Sequence, residues 1–246
     1  MHSSLNSKII YLSLKYPTSP PRWGRLRRTS NSISALRDVF SHPNLKSLSI
    51  FEFSPQQHGE EQWFLDVLQH SSNIEFLDLC GSEFKFTRST ECPLPFEGIG
   101  VLKYRFLTKL QLSWTTLRGG ELIQFLGNNK ACLRTLGLSR ITLSSGRWEP
   151  IFDDMTTMPE LLSFYFDMLM ESNCKPNPNQ VHHHMRHVGY VACVESGAKS
   201  VLRTRAFIEY LRSQHLMKVY DTAHFGLVRF PSYGDFLAAE RRSQFT

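Results

Sequence analysis

The side chains best suited to hold a metal stand in one run, His182-His-His-Met-Arg-His187. His183 and His187 lie four apart, so on a helix they would share a face and offer two imidazoles to a transition metal. No Glu completes an H-E-x-x-H signature and no Cys stands at ligand spacing, which leaves a solvated, partly charged loop as the plainer reading. Asp153 and Asp154 fall on a predicted helix after Trp148, where a solvated face explains an acidic pair better than general acid–base work. Glu195-Ser-Gly-Ala-Lys199 lacks the spacing of a phosphate-binding loop, Gly119-Gly120 has no G-x-G-x-x-G around it, and no G-x-S-x-G elbow occurs. These residues predict a protein that is not an enzyme, with no catalytic residue and no cofactor. The competing reading, a metal-binding or enzymatic role in residues 168–246, rests on His183 and His187.

Charge and cysteine usage narrow the partners. The 246-residue chain has a formal charge of +6 and a pI near 9.1. Part of the excess is split between Arg22, Arg25, Arg27 and Arg28 at one end and Arg203, Arg205, Arg212, Arg229, Arg241 and Arg242 at the other. A nucleic-acid groove would concentrate that charge and interleave it with aromatics, so nucleic acid is not the expected partner. The five cysteines are odd in number and form no C-x-x-C pair, as reduced intracellular thiols would. The apolar run at 9–14 is too short for a signal peptide, and no stretch approaches the roughly 20 apolar residues of a membrane span. The expected compartment is cytoplasm or nucleus.

The elements that would position any site are written in one recurring phrase, L-x-x-L-x-L. Its clearest copies are Leu107-Thr-Lys-Leu110-Gln-Leu112, Leu133-Arg-Thr-Leu136-Gly-Leu138 and Leu161-Leu-Ser-Phe164-Tyr-Phe166. Earlier copies are Ile9-Ile-Tyr-Leu12-Ser-Leu14, Leu45-Lys-Ser-Leu48-Ser-Ile50 and Ile74-Glu-Phe-Leu77-Asp-Leu79. Successive copies begin 36, 29, 33, 26 and 28 residues apart. A short strand returning at such a period predicts an α/β leucine-rich-repeat solenoid: a horseshoe with parallel strands on the concave face and helices on the convex face.

The intervals are long enough for helices. Trp63, Phe64, Val67 and Leu68 recur at helical spacing, as do Leu122, Phe125 and Leu126, then Ile151, Phe152 and Met155, and in the first interval Ile33, Leu36, Val39 and Phe40. Turn formers precede three strands, in Ser41-His-Pro-Asn44, Ser71-Ser-Asn73 and Thr157-Met-Pro-Glu160. Residues 16–29 and 85–100, rich in Pro with Arg or with Gly and Thr, are expected as exposed loops. Cys132, just before Leu133, is expected to be buried; Trp114 and Trp148 are expected in loop and core packing. Residues 1–167 form the predicted repeat array. Residues 168–246 are a C-terminal cap or irregular helical tail, with a linker at 174–179 and a helix at 201–210 that would cover the apolar end of the last repeat.

The block Leu133-Arg-Thr-Leu-Gly-Leu-Ser-Arg-Ile141-Thr-Leu143-Ser-Ser-Gly146-Arg-Trp148 resembles the leucine-rich-repeat region of fungal F-box proteins, over residues 45–167 and more faintly 9–14. The resemblance implies substrate recognition for a ubiquitin ligase, in which an F-box preceding the repeats recruits the ligase scaffold. Here the first copy of the phrase begins at Ile9, so the resemblance implies a longer product or a chain lacking that module; the alternative is a structural remnant or truncated gene product without a partner.

Side chains alternate along a strand, so the second and third apolar residues of the phrase point inward and those beside them line the other sheet face. The expected function is noncatalytic protein–protein interaction through Tyr11, Lys15, Phe51, Phe76, Asp78, Lys109, Gln111, Tyr165 and Asp167, where aromatics stand among small polar residues as in interface anchors. The plainer alternative is a row of merely solvated strand positions.

Overall fold

The computed structural model describes residues 10–15, 40–53, 60–81, 96–167, 169–172, 185–188, 194–195, 201–213, 219–220 and 233–244. The copies of the phrase form β1 (Ile10–Lys15), β2 (Leu45–Phe53), β3 (Phe76–Gly81), β4 (Lys109–Arg118), β5 (Thr135–Ser145) and β6 (Ser163–Asp167). They pair in sequence order, each parallel with the next. Register aligns equivalent positions. Leu12, Leu48, Leu77, Leu110, Leu136 and Phe164 make one lateral row, and Leu14, Ile50, Leu79, Leu112, Leu138 and Phe166 another. From β2 to β6 these side chains are at most 2% exposed. The protein is therefore α/β with a parallel sheet.

Helices α1 (Glu60–His70), α2 (Gly119–Asn129) and α3 (Trp148–Thr156) fill intervals between strands where the apolar periodicity placed them. Val67 and Leu68, Leu122, Phe125 and Leu126, and Trp148, Ile151, Phe152 and Met155 join the inward strand residues in one continuous core. Of the helix expected through Ile33, Leu36, Val39 and Phe40, only Phe40 is among the described residues, helical and buried. Residues 16–29 and the linker at 174–179 lie outside the described residues.

The segment before β4 departs from expectation. Residues 96–100 were expected in an exposed loop, yet Phe96 and Ile99 are buried, together with Leu102 and Tyr104 beyond them. Phe96 N–H donates to the Thr116 carbonyl at 2.8 Å, and Ile99–Val101 forms a single 3₁₀ turn. The Tyr104 hydroxyl donates to the Leu68 carbonyl of α1 at 3.0 Å, while Asn129 of α2 accepts from Tyr104 N–H at 2.7 Å and donates to the Leu102 and Phe125 carbonyls. Asn129 thus supplies the hydrogen bonds that irregular backbone needs in order to be buried. The sheet is neither curled nor closed, in place of the expected horseshoe. Curvature follows where strands spaced about 4.8 Å apart each carry a helix about 10 Å wide; the segment packed against α2 ahead of β4 is a 3₁₀ turn, Ile99–Val101.

β4 and β5 run on past the phrase. Each turns at one left-handed residue, Trp114 (φ 52°) and Arg140 (φ 55°), and Thr115, Thr116 and Leu117 then pair with Ile141, Thr142 and Leu143. Thr142 and Leu143 pair in turn with Met170 and Glu171 of β7 (Met170–Ser172). Beyond the corner the chain re-enters helix through close contacts: a Cβ on Gly119 would lie 2.9 Å from the Ser145 carbonyl oxygen, and Gly146 sits at φ 86° against Gly119. Only glycine combines that φ with so near an approach.

The C-terminal elements continue the layers. β8 (Met185–Val188) pairs antiparallel with β7 and with β10 (Val219–Tyr220), and β9 (Val194–Glu195) pairs antiparallel with β6. Helix α4 (Val201–Ser213) contains the helix expected at 201–210, and α5 (Tyr233–Ser243) packs beside it. Phe207 stacks on Phe164 at 5.7 Å, with Tyr233 and Phe236 around it. At the four steps from β2 to β6 the carbonyl of the residue after the first apolar of the phrase accepts a backbone bond: Lys46 from Glu75 N–H, Glu75 from Thr108 N–H, Thr108 from Arg134 N–H and Arg134 from Leu162 N–H. At the last step the buried Thr204 hydroxyl donates to the Leu162 carbonyl at 2.8 Å.

Two substitution pairs test this packing in urea unfolding. Gly119→Ala is expected to lower stability by about 1–3 kcal/mol, the range for overpacking, whereas Gly120→Ala, which meets nothing within 4 Å, should leave it unchanged or raise it. Thr204→Val keeps shape and loses one hydrogen bond, an expected loss of about 1 kcal/mol; Thr204→Ser should restore it.

Candidate binding surface on the sheet face

The register that hides the leucines gathers the intervening residues into three rows on the opposite face. The first is Tyr11, Ser47, Phe76, Lys109, Thr135 and Ser163; the second Ser13, Ser49, Asp78, Gln111, Gly137 and Tyr165; the third Lys15, Phe51, Cys80, Ser113, Ser139 and Asp167. All nine expected site residues fall on these rows. Tyr11 and Lys15 are placed by the β1 backbone register. Phe51, Phe76, Asp78, Gln111, Tyr165 and Asp167 are half-buried and Lys109 is exposed.

Contacts within the face tie these residues together. The Lys109 ammonium lies 4.7 Å over the Phe76 ring, a cation–aromatic contact. Burial pushes the Asp78 carboxyl above the ordinary carboxylate range, and the Lys109 charge pulls it back in part. The Gln111 side chain lies over Gly137, where an added Cβ would meet its Oε1 at 2.7 Å. Glycine here makes room for the amide on the face. Thr135 and Ser163 hydroxyls share a hydrogen bond of 3.1 Å. Tyr165 pairs through its backbone with Glu195 of β9, which borders the face at this end.

At the corner of the strands stand two residues that the strand pattern alone did not place on this surface. The Arg140 guanidinium lies 3.9 Å over the Trp114 indole, and its Nε is 3.8 Å from Asp167 Oδ2, which also accepts from the Ser139 hydroxyl at 3.1 Å. Trp114 is part of this cluster and is neither loop nor core. A signal was present: Trp114 and Arg140 each stand two residues after the last leucine of their phrase, in equivalent positions. The opposite margin has Phe106, 41% exposed, with the Lys46 ammonium at 5.5 Å and the Arg105 guanidinium at 5.3 Å; Lys46 pairs with Glu75 at 2.9 Å.

The remaining candidates resolve differently. His187 lies in β8, an extended strand, so the helical spacing that would place His183 and His187 on one face does not hold; His183 lies outside the described residues. Among the described residues no group of three or more His, Cys, Asp or Glu is placed to hold a metal ion, and no helix is long and apolar enough to cross a membrane. Asp153 is exposed on α3, whereas Asp154 is half-buried; burial raises its carboxyl and the Lys130 charge opposes the rise. Cys132, expected to be buried, is half-buried, with its thiol donating to the Asn129 carbonyl at 3.2 Å. Trp148 is fully buried core.

Comparison with protein families, curated proteins and solved structures finds no match to this protein.

Because Asp78 binds its proton more tightly folded than unfolded, its contribution to stability is greatest in acid and is lost as pH rises from its ordinary range through its raised folded value. Thermal midpoints of wild type and Asp78→Asn, compared across that window, should therefore shift in favour of the variant as pH rises. A constant difference, or one that shifts toward wild type, refutes the assignment.

Proposed function

We propose that the sheet face opposite the helices docks a partner protein, and that the chain is a noncatalytic recognition module built as a leucine-rich-repeat array and closed at its C-terminal end by α4. The observation that carries the reading is the registered face itself, where Phe51, Phe76 and Tyr165 stand half-buried among serines, a threonine and paired charges. Half-exposed aromatics in a polar field are the composition of interface anchors, each able to bury the rest of its ring against a partner. Phe207 on Phe164 and Thr204 on the Leu162 carbonyl occupy positions that a further repeat would take, which supports α4 as the cap.

Charge on the face favours a protein over a polyanion. Lys109 stands beside Asp78, Arg140 beside Asp167 and Lys46 beside Glu75, so these three cations each have a carboxylate within their field. A nucleic-acid surface leaves its cations free for phosphates. On the resemblance of the Leu133–Trp148 block to fungal F-box proteins, the partner would be a substrate selected for a ubiquitin ligase.

Affinity purification of the full-length protein with mass spectrometry, run beside a Phe51→Ala, Phe76→Ala, Tyr165→Ala triple variant of unchanged circular dichroism, tests the reading. Wild type should recover a defined partner that the triple variant loses, and ligase scaffold subunits among the recovered proteins would support the F-box assignment. Equal recovery by the folded triple variant rules the face out.

A further inference from the structure

The corner of β4 and β5 is unlike the rest of the face. Trp114 and Arg140 are the non-glycine residues with positive φ among the described residues, and they are neighbours on adjacent strands. Such a conformation is uncommon for residues with a side chain, and here it brings an indole and a guanidinium face to face at 3.9 Å. The Arg140 Nε edge is turned to Asp167. Its terminal nitrogens form no hydrogen bond with the described residues, and the side chain is 37% exposed. The guanidinium is therefore held between the Trp114 ring and Asp167 on a part-exposed side chain, with its terminal donors unused among the described residues.

We propose that Arg140 is the anchor of the docking face and receives a carboxylate of the partner protein, either an acidic side chain or the terminal α-carboxylate; the proposal rests on the sheet face being the docking surface. A planar guanidinium matches a carboxylate through two parallel N–H···O bonds, and prior stacking on Trp114 reduces the freedom lost on binding. The Arg140–Asp167 pair carries no net charge, whereas phosphate recognition draws on clusters of cations; a carboxylate, matched by a single guanidinium, is the ligand this site suits. Ser139, by donating to Asp167, holds that carboxylate on the Nε side.

A positional-scanning library of acetylated, amidated hexapeptides, presented to the full-length protein, tests this directly. Wild type should select Asp or Glu at one position. Arg140→Asn, whose side chain tolerates the left-handed backbone, should weaken the selected peptide by roughly ten- to a hundredfold. Arg140→Lys, keeping charge without the fork, should fall between. A matched set with free C-termini separates a terminal carboxylate from a side-chain one. No acidic selection, acidic selection that survives Arg140→Asn in a variant of unchanged thermal midpoint, or tighter binding of the phosphoserine counterpart overturns the proposal. Selection lost in the Phe51, Phe76 and Tyr165 triple variant but kept in Arg140→Asn upholds the face and overturns the anchor. Selection lost in Arg140→Asn but kept in the triple variant upholds the anchor apart from the wider aromatic face.

Discussion

Everything in this protein depends on two rows of apolar side chains that run across the parallel strands. The row through Leu48, Leu77, Leu110, Leu136 and Phe164, and its neighbour through Ile50, Leu79, Leu112, Leu138 and Phe166, are removed from water almost completely. Side chains alternate with a period of two, so a slip of one residue at any strand would expose its leucines and bury its polar neighbours. The hydrophobic term therefore sets the register, and the register sets which residues share the opposite face.

That face is half-buried and internally paired. Phe76, Lys109 and Asp78 make one group of aromatic ring, cation and carboxylate, and Trp114, Arg140 and Asp167 make another. In both, the cation lies on a ring and faces an acid, which lowers its appeal to a polyanion and fixes its position. The two groups differ in geometry. Lys109 is a point charge on a flexible stem, whereas Arg140 is a planar donor fork held at a left-handed corner.

Breaks in the repeat are handled by specific polar groups. Between β3 and β4 irregular backbone is buried because Asn129 and the Tyr104 hydroxyl satisfy it and the neighbouring helices. At the end of the parallel series the Thr204 hydroxyl stands where another strand's N–H would be, and Phe207 stands where another inward apolar residue would be. The same two needs, a partner for the carbonyl and a cover for the apolar row, are met by side chains from a helix.

The sequence by itself determined the six parallel strands of the phrase, three of the interval helices, their inward faces and the three rows of the opposite face, because each follows from a local period of two or 3.6 in apolar residues. It did not reveal the buried stretch from Phe96 to Tyr104, whose apolar residues follow neither period and are held by Asn129 from α2, 25 positions beyond Tyr104. It left 182–187 as a solvated loop, with a metal pair only were the run helical, where pairing with β7 and β10 makes His187 strand. Trp114 and Arg140 occupy equivalent positions in their phrases, yet nothing local says that they stack. Their contact exists only because β4 and β5 lie side by side with both corners in register, and adjacency between segments 26 residues apart is a property of the tertiary structure.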